Sequence, residues 1–159
     1  MRMDEFGRPL PSPAPDGYRN PSLAADAACI REVNGRKQIL LITRKMEPSK
    51  GKLALPGGFV DYNEDPEDAA LRELKEECGI DGQLSKVICV RGRPDRDPRK
   101  HVVTIVYLVW AEGEPTAGDD AADAAWYDLE EALEMPLDNW AFDHHTVVEM
   151  VRDAVNESR

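Results

Sequence analysis

The 159-residue chain predicts an α/β fold in which a β-sheet is layered between helices. Three observations carry that expectation. Strand-like stretches are interleaved with two substantial helical patterns, one around residues 65–78 and one at the C-terminal end. The run Gln38-Ile39-Leu40-Leu41-Ile42 is nearly unbroken apolar sequence, which suits a strand covered on both faces. Val102 to Trp110 is rich in β-branched and aromatic residues and is the best candidate for a central strand. With 42% hydrophobic residues, the chain fits one domain with a core of useful size.

Residues 1–22 hold five of the 12 prolines, and proline cannot donate to a ladder, so this stretch reads as a flexible or draped arm. On it, Phe6 and Tyr18 could pack across a homodimer or near a substrate base. A single domain is expected over residues 23–159. Ala24–Val33 and Lys37–Thr43 read as a hairpin, because Asn34-Gly35 between them favours a type I′ turn. Leu53 to Val60 is the next extended stretch, and Gly57-Gly58 within it let backbone approach a ligand closely. The first helix follows: Pro66 suits its first turn, Asp65 or Asn63 can cap it, and Gly79 suits the position past its end. Leu84–Val90 and His101–Trp110 read as strands. Ala124–Leu129 is a short strand running into a helical piece, Glu130–Met135, stopped near Pro136. Asp143–Asn156 is a final amphipathic helix with Val147, Val148, Val151 and Val155 on its buried side. There is no internal repeat.

Charge and cysteine usage narrow the function classes. A net charge of −11 argues against a nucleic-acid-binding surface, and it obliges any anionic substrate to be met by local Arg, Lys or metal. Cys29, Cys78 and Cys89 are odd in number and lack Cys-x-x-Cys spacing, so reduced thiols in or near a core are expected. No apolar run approaches a membrane span and no secretory leader is visible, so a cytoplasmic location without membrane partners is expected.

The first helix carries the chemistry. At about 100° per residue, Glu73, Glu76 and Glu77 share one arc while Leu71, Leu74 and Cys78 share another. Helix carboxylates are ordinarily solvated decoration. Here like charges at i,i+3 and i,i+4 repel, and negative charge in the last turn opposes the macrodipole. A divalent cation such as Mg²⁺, which takes hard oxygen ligands, would remove the conflict. The wider context supports this. Gly58, Glu64, Arg72, Glu73, Leu74, Glu76, Glu77, Gly79 and Ile80 fill every specified position of Gly-x5-Glu-x7-Arg-Glu-(apolar)-x-Glu-Glu-x-Gly-(apolar). The stretch thereby resembles the signature of the Nudix hydrolases.

That resemblance covers about residues 23–156 and implies a Nudix-type α/β/α sandwich with a mixed β-sheet between helices. It implies hydrolysis of a nucleoside diphosphate linked to another group, using water and Mg²⁺, which Mn²⁺ could replace. By the same resemblance Glu76 and Glu77 are principal metal ligands, and Glu73 is a further ligand or the group that orients or deprotonates water. The Gly57 carbonyl is another implied ligand. Arg72, next to Glu73 and at i,i+4 from Glu76, can fix a carboxylate with its planar fork. Glu64 either binds metal or braces the loop before the helix. A later acid often serves as base or ligand in the family, and Glu112, Glu114, Asp119, Asp120 and Asp123 are all candidates that spacing does not separate.

Residues 91–100 form the strongest basic cluster of an acidic chain. Arg93, Arg96 and Arg99 are candidates to grip a diphosphate or terminal sugar phosphate, as are Arg44 and Lys52 flanking the loop before the glycine pair. His101, His144 and His145 lack metal-site spacing with the cysteines; packing or surface roles are expected for the last two. Tyr107, Trp110, Trp126 and Trp140 read mostly as core, with Trp126 beside Tyr127 able to stack on a base. Patterns expected for the coenzyme A and NADH branches are absent. Pro94, the Arg96-Asp97-Pro98-Arg99 stretch and Ala141-Phe142-Asp143-His144 look like the ADP-ribose pyrophosphatase branch and the ADP-ribose-sensing regulators related to it. The expected reaction is ADP-ribose to AMP and ribose 5-phosphate. A nucleoside triphosphate is the runner-up substrate. The third reading is a non-catalytic sensor; such proteins carry a winged helix after the domain, which is not expected here, and often lose the glutamates that this chain keeps.

Overall fold

The computed structural model describes residues 2–118 and 120–157. Its backbone is set by a run of small residues. β1 (Ser22–Val33) contains Ala24, Ala25, Ala27, Ala28, Cys29 and Ile30, all buried, and side chains this small let layers close on both of its faces. Asn34 and Gly35 both take positive φ, turning the chain into β2 (Arg36–Arg44), where Ile39 to Ile42 are buried as expected.

The expected single stretch over residues 53–60 is two strands, β3 (Leu53–Ala54) and β4 (Gly57–Phe59). Pro56 between them has no N–H to donate, and the chain there changes partner from β2 to β1. Helix α1 (Pro66–Cys78) has Asp65 rather than Asn63 as its cap, accepting the Glu67 N–H at 2.8 Å. Gly79 ends it in the left-handed region with φ 68°. β5 (Gln83–Arg91) and β6 (Val102–Trp110) follow, and β7 (Ala121–Asp128) starts three residues before its sequence expectation. The Ala-rich start of β7 has weak strand propensity; antiparallel pairing with β2, through an irregularity at Thr43/Arg44, holds it extended. α2 (Leu129–Glu134), one 3₁₀ turn (Leu137–Asn139) and α3 (His144–Glu157) complete the chain.

The sheet runs β3-β2-β1-β6-β5, with β4 added on β1 and β7 on β2. It is mixed: β1 and β6 are parallel over Ser22–Ile30, and the other pairs are antiparallel. β6 is an interior strand, although β1 holds the middle place. One face of the sheet (Ala25, Ala27, Cys29, Leu40, Ile42) packs on Ala69, Ala70, Leu74 and Cys78 of α1. The other (Ala28, Ile30, Ile39, Leu41) packs on Val147, Val148, Val151 and Val155 of α3. This is an α/β/α sandwich of the kind expected. Cys29 and Cys78 are buried, Cys89 is half-buried, and all three are free. Among the described residues no helix is long and apolar enough to cross a membrane.

One feature of the sheet positions the site. Along one edge β1 pairs with β2 from Ile30 to Val33 and with β4 from Ala24 to Asp26. Between the two, Ala27 donates its N–H to the Pro56 carbonyl at 2.9 Å. The sheet parts at Asp26 and Ala27, beside the last turns of α1. Leu74 is wholly buried at the α1–sheet contact. Leu74→Ala is expected to cost about 2–5 kcal/mol, read by urea unfolding, whereas the half-buried Leu71 should cost clearly less.

Candidate active site

A cavity of about 330 Å³ opens where the sheet parts. α1 contributes Glu73 and Glu77 to it, β1 contributes Asp26, and β4 supplies the backbone of Gly57 and Gly58. The glycines are required by close approach. A Cβ on Gly58 would stand 2.6 Å from the Glu73 carboxylate, and one on Gly57 would collide with the Asp26 carboxylate and come within 2.7 Å of the Ala25 carbonyl.

Arg72 organises the acidic face of α1. Its Nε and Nη2 donate to the two oxygens of Glu64 at 2.8 and 3.0 Å. Nη1 donates to Glu73 at 2.8 Å and to Glu76 at 3.2 Å, and Nη2 also reaches the Phe59 carbonyl at 3.2 Å. The fork inferred from its spacing is therefore present, with Glu64 as an additional and principal partner. Glu64 also accepts the Asp61 N–H at 3.0 Å, which is the bracing arrangement of its two readings. The Arg72 hydrogen bonds hold Glu64 down to a pKa of about 2.

Glu77 lies deeper. It is 7% exposed and accepts the Gly57 N–H at 3.3 Å. Burial first, then the charges of Glu73, Asp26 and Asp120, push its pKa up to about 9. Burial likewise raises Glu73 from its ordinary value despite Arg72. Asp26 is pushed to about 7, again chiefly by burial. No three His, Cys, Asp or Glu among the described residues converge as a ready-made cation site, because Arg72 draws Glu64, Glu73 and Glu76 onto itself. The donors nonetheless fit a hard divalent cation. Half-buried Glu73 and buried Glu77 are oxygen donors in mutual contact, and burial disfavours the charge of each.

Of the five later acids, Asp120 lines this cavity. It is placed by Gly118, whose N–H donates to the Glu77 carbonyl at 2.8 Å and whose missing side chain lets the chain press on the Glu76 carbonyl. Glu114 is exposed and pairs with Arg31, Glu112 is exposed, Asp123 pairs opposite Thr43 in the sheet, and Asp119 lies outside the described residues.

The basic residues divide. Arg44, Arg96 and Arg99 line the cavity. Arg44 donates to the Pro48 carbonyl at 2.7 Å and stacks on Phe142 at 5.1 Å. Arg96 is fixed by Asp143 (2.8 and 3.2 Å) and by the Thr104 hydroxyl at 2.9 Å. Burial disfavours the Asp143 charge, but Arg96 and Arg91 overcome that and hold its pKa near about 2. Arg99 is held in a fork by Asp97. Arg93 instead faces solvent with Asp95, and Lys52 is not among the lining residues. Trp126 is also elsewhere: Arg31 covers its ring at 4.5 Å and its Nε1 donates to the Gly113 carbonyl.

Two further residues line the cavity: Asp26, which was not assigned from the sequence, and His144, for which a packing or surface role was expected. His144 is 5% exposed; its Nδ1 accepts the Leu55 N–H at 3.0 Å and its Nε2 lies 3.5 Å from Asp26. Burial lowers its pKa to about 4, so the imidazole is neutral at pH 7 and presents Nε2–H to Asp26. His145, by contrast, packs locally: its Nε2 meets the Leu133 carbonyl at 2.9 Å and its ring stands edge-on to Trp140. The signal for Asp26 was present, since a carboxylate in the middle of an Ala-Ala-Asp-Ala-Ala strand must be buried or functional.

A model of the NUDIX domain matches residues 21–150. An "ADP-ribose pyrophosphatase" of Methanocaldococcus jannaschii is 42% identical over 132 residues, covering 82% of this chain and 73% of that protein. An "ADPR responsive transcriptional repressor NtrR" of Acinetobacter baylyi is 35% identical over 143 residues, covering 87% of this chain and 56% of the repressor. Among solved structures, the NUDIX domain of Shewanella oneidensis NrtR complexed with ADP ribose superposes with a TM-score of 0.80 at 28% identity, covering 89% of this chain and 93% of that domain. The chain therefore spans little more than half the length of the repressor relative. That kinship leaves the expected absence of a nucleic-acid partner without support.

Two outcomes test this geometry. Gly58→Ala should fold but displace Glu73, lowering kcat/KM by roughly 100-fold; parallel melting curves and rates check it. The raised carboxylates set a pH dependence as well. Native Glu77 and Asp26 retain protons that the unfolded chain has lost, so metal-free stability should fall as pH rises from 6.5 to 8.5. Below about pH 6.5, His144 acts in the opposite sense, because its folded pKa is depressed. A divalent cation replaces those protons, so its effect on Tm should be larger at pH 8.5 than at 6.5, as calorimetry would show.

Proposed function

The chain belongs to the Nudix hydrolase family, and from that premise we propose that it hydrolyses ADP-ribose to AMP and ribose 5-phosphate with Mg²⁺ as the preferred cation. The observation that carries the proposal is the cavity's mixed lining. Buried carboxylates of α1 and the arginines Arg44, Arg96 and Arg99 face one space, within a chain of net charge −11. A diphosphate needs both: arginine forks for its outer oxygens and an acid-bound cation against the repulsion of the carboxylates. The relative that is 42% identical is named for the same reaction.

Glu73, Glu77, Asp120 and the Gly57 backbone are the groups proposed to hold the cation, with Glu76 joining when it leaves Arg72. When bound, the cation would lower the pKa of water and offset charge on phosphoryl oxygens. Glu73 is suited to take the proton of the attacking water, since its carboxylate is half-buried and its pKa raised. Arg72 fixes the Glu73 orientation, and Glu64 keeps Arg72 in place. Arg96, immobilised on Asp143 and Thr104, binds the diphosphate without first losing side-chain freedom. The water oxygen bonds to one phosphorus and the bridging oxygen departs on the other, giving two monophosphates.

The repressor relative favours a second reading, in which the cavity binds ADP-ribose without cleaving it and the wider partner is DNA. Turnover separates the two. In a panel of ADP-ribose, nucleoside triphosphates, NADH and coenzyme A, ADP-ribose should have the highest kcat/KM, with AMP as a product and no turnover in excess chelator. A triphosphate preferred by tenfold, about 1.4 kcal/mol in transition-state binding, would overturn the substrate assignment. Tight binding of ADP-ribose without products would establish the sensor.

A further inference from the structure

We propose that Arg8, on the N-terminal arm, is a positioning residue for the arginine wall of the cavity, acting through Asp97. The inference rests on the reading of Arg99 as a substrate-binding group. Asp97 is 5% exposed and works in two directions. Its carboxylate accepts the Arg99 Nε at 3.1 Å, Nη2 at 2.8 Å and backbone N–H at 2.8 Å. Its carbonyl accepts Arg8 Nη1 at 2.8 Å, in buried surroundings and across 89 residues of sequence.

Arg8 is itself built into a tight turn. Asp4 accepts its Nε at 2.7 Å and its backbone N–H at 2.9 Å, and the Asp4 N–H donates to the Arg8 carbonyl at 2.7 Å. The guanidinium also lies 5.1 Å from the centre of the Phe6 ring, and a Met3–Pro9 bridge closes the turn. An arginine 9% exposed, satisfied by an acid on one side and by a distant carbonyl on the other, is a clasp rather than solvated surface. The arm expected to be flexible or draped is thus fastened to the domain at this point.

The segment it fastens has no regular structure of its own. Between β5 and β6 the chain forms neither helix nor strand; Arg96 is tied to Asp143 and Thr104, and His101 Nε2 meets the Gly92 carbonyl at 2.9 Å. Arg8 adds the anchor at Asp97. By holding the Asp97 carbonyl toward the arm, it leaves the carboxylate to fix Arg99, which lies 5.5 Å from the Phe59 ring at the cavity wall. Charge-assisted hydrogen bonds weaken steeply when misaligned, so a shift of this unit would reach substrate binding.

Steady-state kinetics on ADP-ribose with Arg8→Ala, Arg8→Lys, Arg99→Ala and the Arg8→Ala/Arg99→Ala double variant test the proposal. Arg8→Ala should raise KM roughly tenfold with kcat within about twofold. Arg8→Lys should recover part of the loss, because an ammonium still reaches a carbonyl. In the Arg99→Ala background, Arg8→Ala should add nothing, since both act through one unit. Amide exchange over residues 93–100 should quicken in Arg8→Ala, which reads the positioning without substrate. An unchanged KM in Arg8→Ala, or additive losses in the double variant, overturns the proposal. Arg99→Ala with unchanged KM instead overturns the substrate role of Arg99, and the exchange rates still decide whether Arg8 orders the loop. Should Arg8→Ala not fold, Asp4→Asn loosens the same clasp; a normal KM and normal exchange there count against it.

Discussion

The charge crowding on α1 is the constraint around which the rest of the molecule is arranged. Four carboxylates, Glu64, Glu73, Glu76 and Glu77, lie on or beside one helical face that also carries a core stripe on its other side. The helix C-terminus disfavours Glu76 and Glu77 in its last turn, and burial disfavours Glu77 and Glu73 further. Arg72 offsets part of this conflict by gathering three of them at its guanidinium. The remainder stays with Glu77 and Glu73. That residual excess of negative charge is what suits the site to the cation proposed for it, and the protein retains it at a cost in stability.

The sheet supplies the space. Small side chains in β1 let both helical layers close, and the change of partner at Pro56 parts β2 from β4, so one cavity receives side chains from both faces. Gly57 and Gly58 then admit Asp26 and Glu73 against the backbone. Packing and the proposed chemistry meet in these residues: a methyl group at either glycine would fill volume that a carboxylate occupies. Asp26 and His144 extend the same economy of polar groups, a raised acid beside a neutral imidazole whose other nitrogen is taken by a backbone N–H.

The basic side of the cavity is held by acids. Asp143 holds Arg96, Asp97 holds Arg99, and Asp97 is reached in turn by Arg8. In a chain with a strong negative excess, Arg96 and Arg99 are each locked in place by a carboxylate, whereas Arg44 is held by the Pro48 carbonyl and the Phe142 ring. Preorganisation of this kind is why long, entropically costly side chains can serve as a binding wall.

Much of this was legible in the sequence. Periodicity located the strands and both long helices, because burial on one or two faces imposes a repeat of 2 or 3.6 residues on any chain that folds this way. The register of Gly58, Glu64, Arg72, Glu73, Glu76 and Glu77 named the acidic site, since contacts within a helix and its preceding loop are local in sequence. Long-range placement was not legible. Spacing offered Arg93, Arg96 and Arg99 as equals, and the fold brought two of them to the cavity. It offered five later acids, and the seat of Gly118 on α1 brought Asp120 to the site. Asp26 stood out as a lone carboxylate in an alanine strand, but its partner His144 and the Arg8 clasp were invisible because each contact joins residues many positions apart. The sequence by itself determined the layers, the helix and its charge conflict; only the tertiary structure decided which distant side chains resolve it, because pairing between remote segments leaves no periodic trace in the chain.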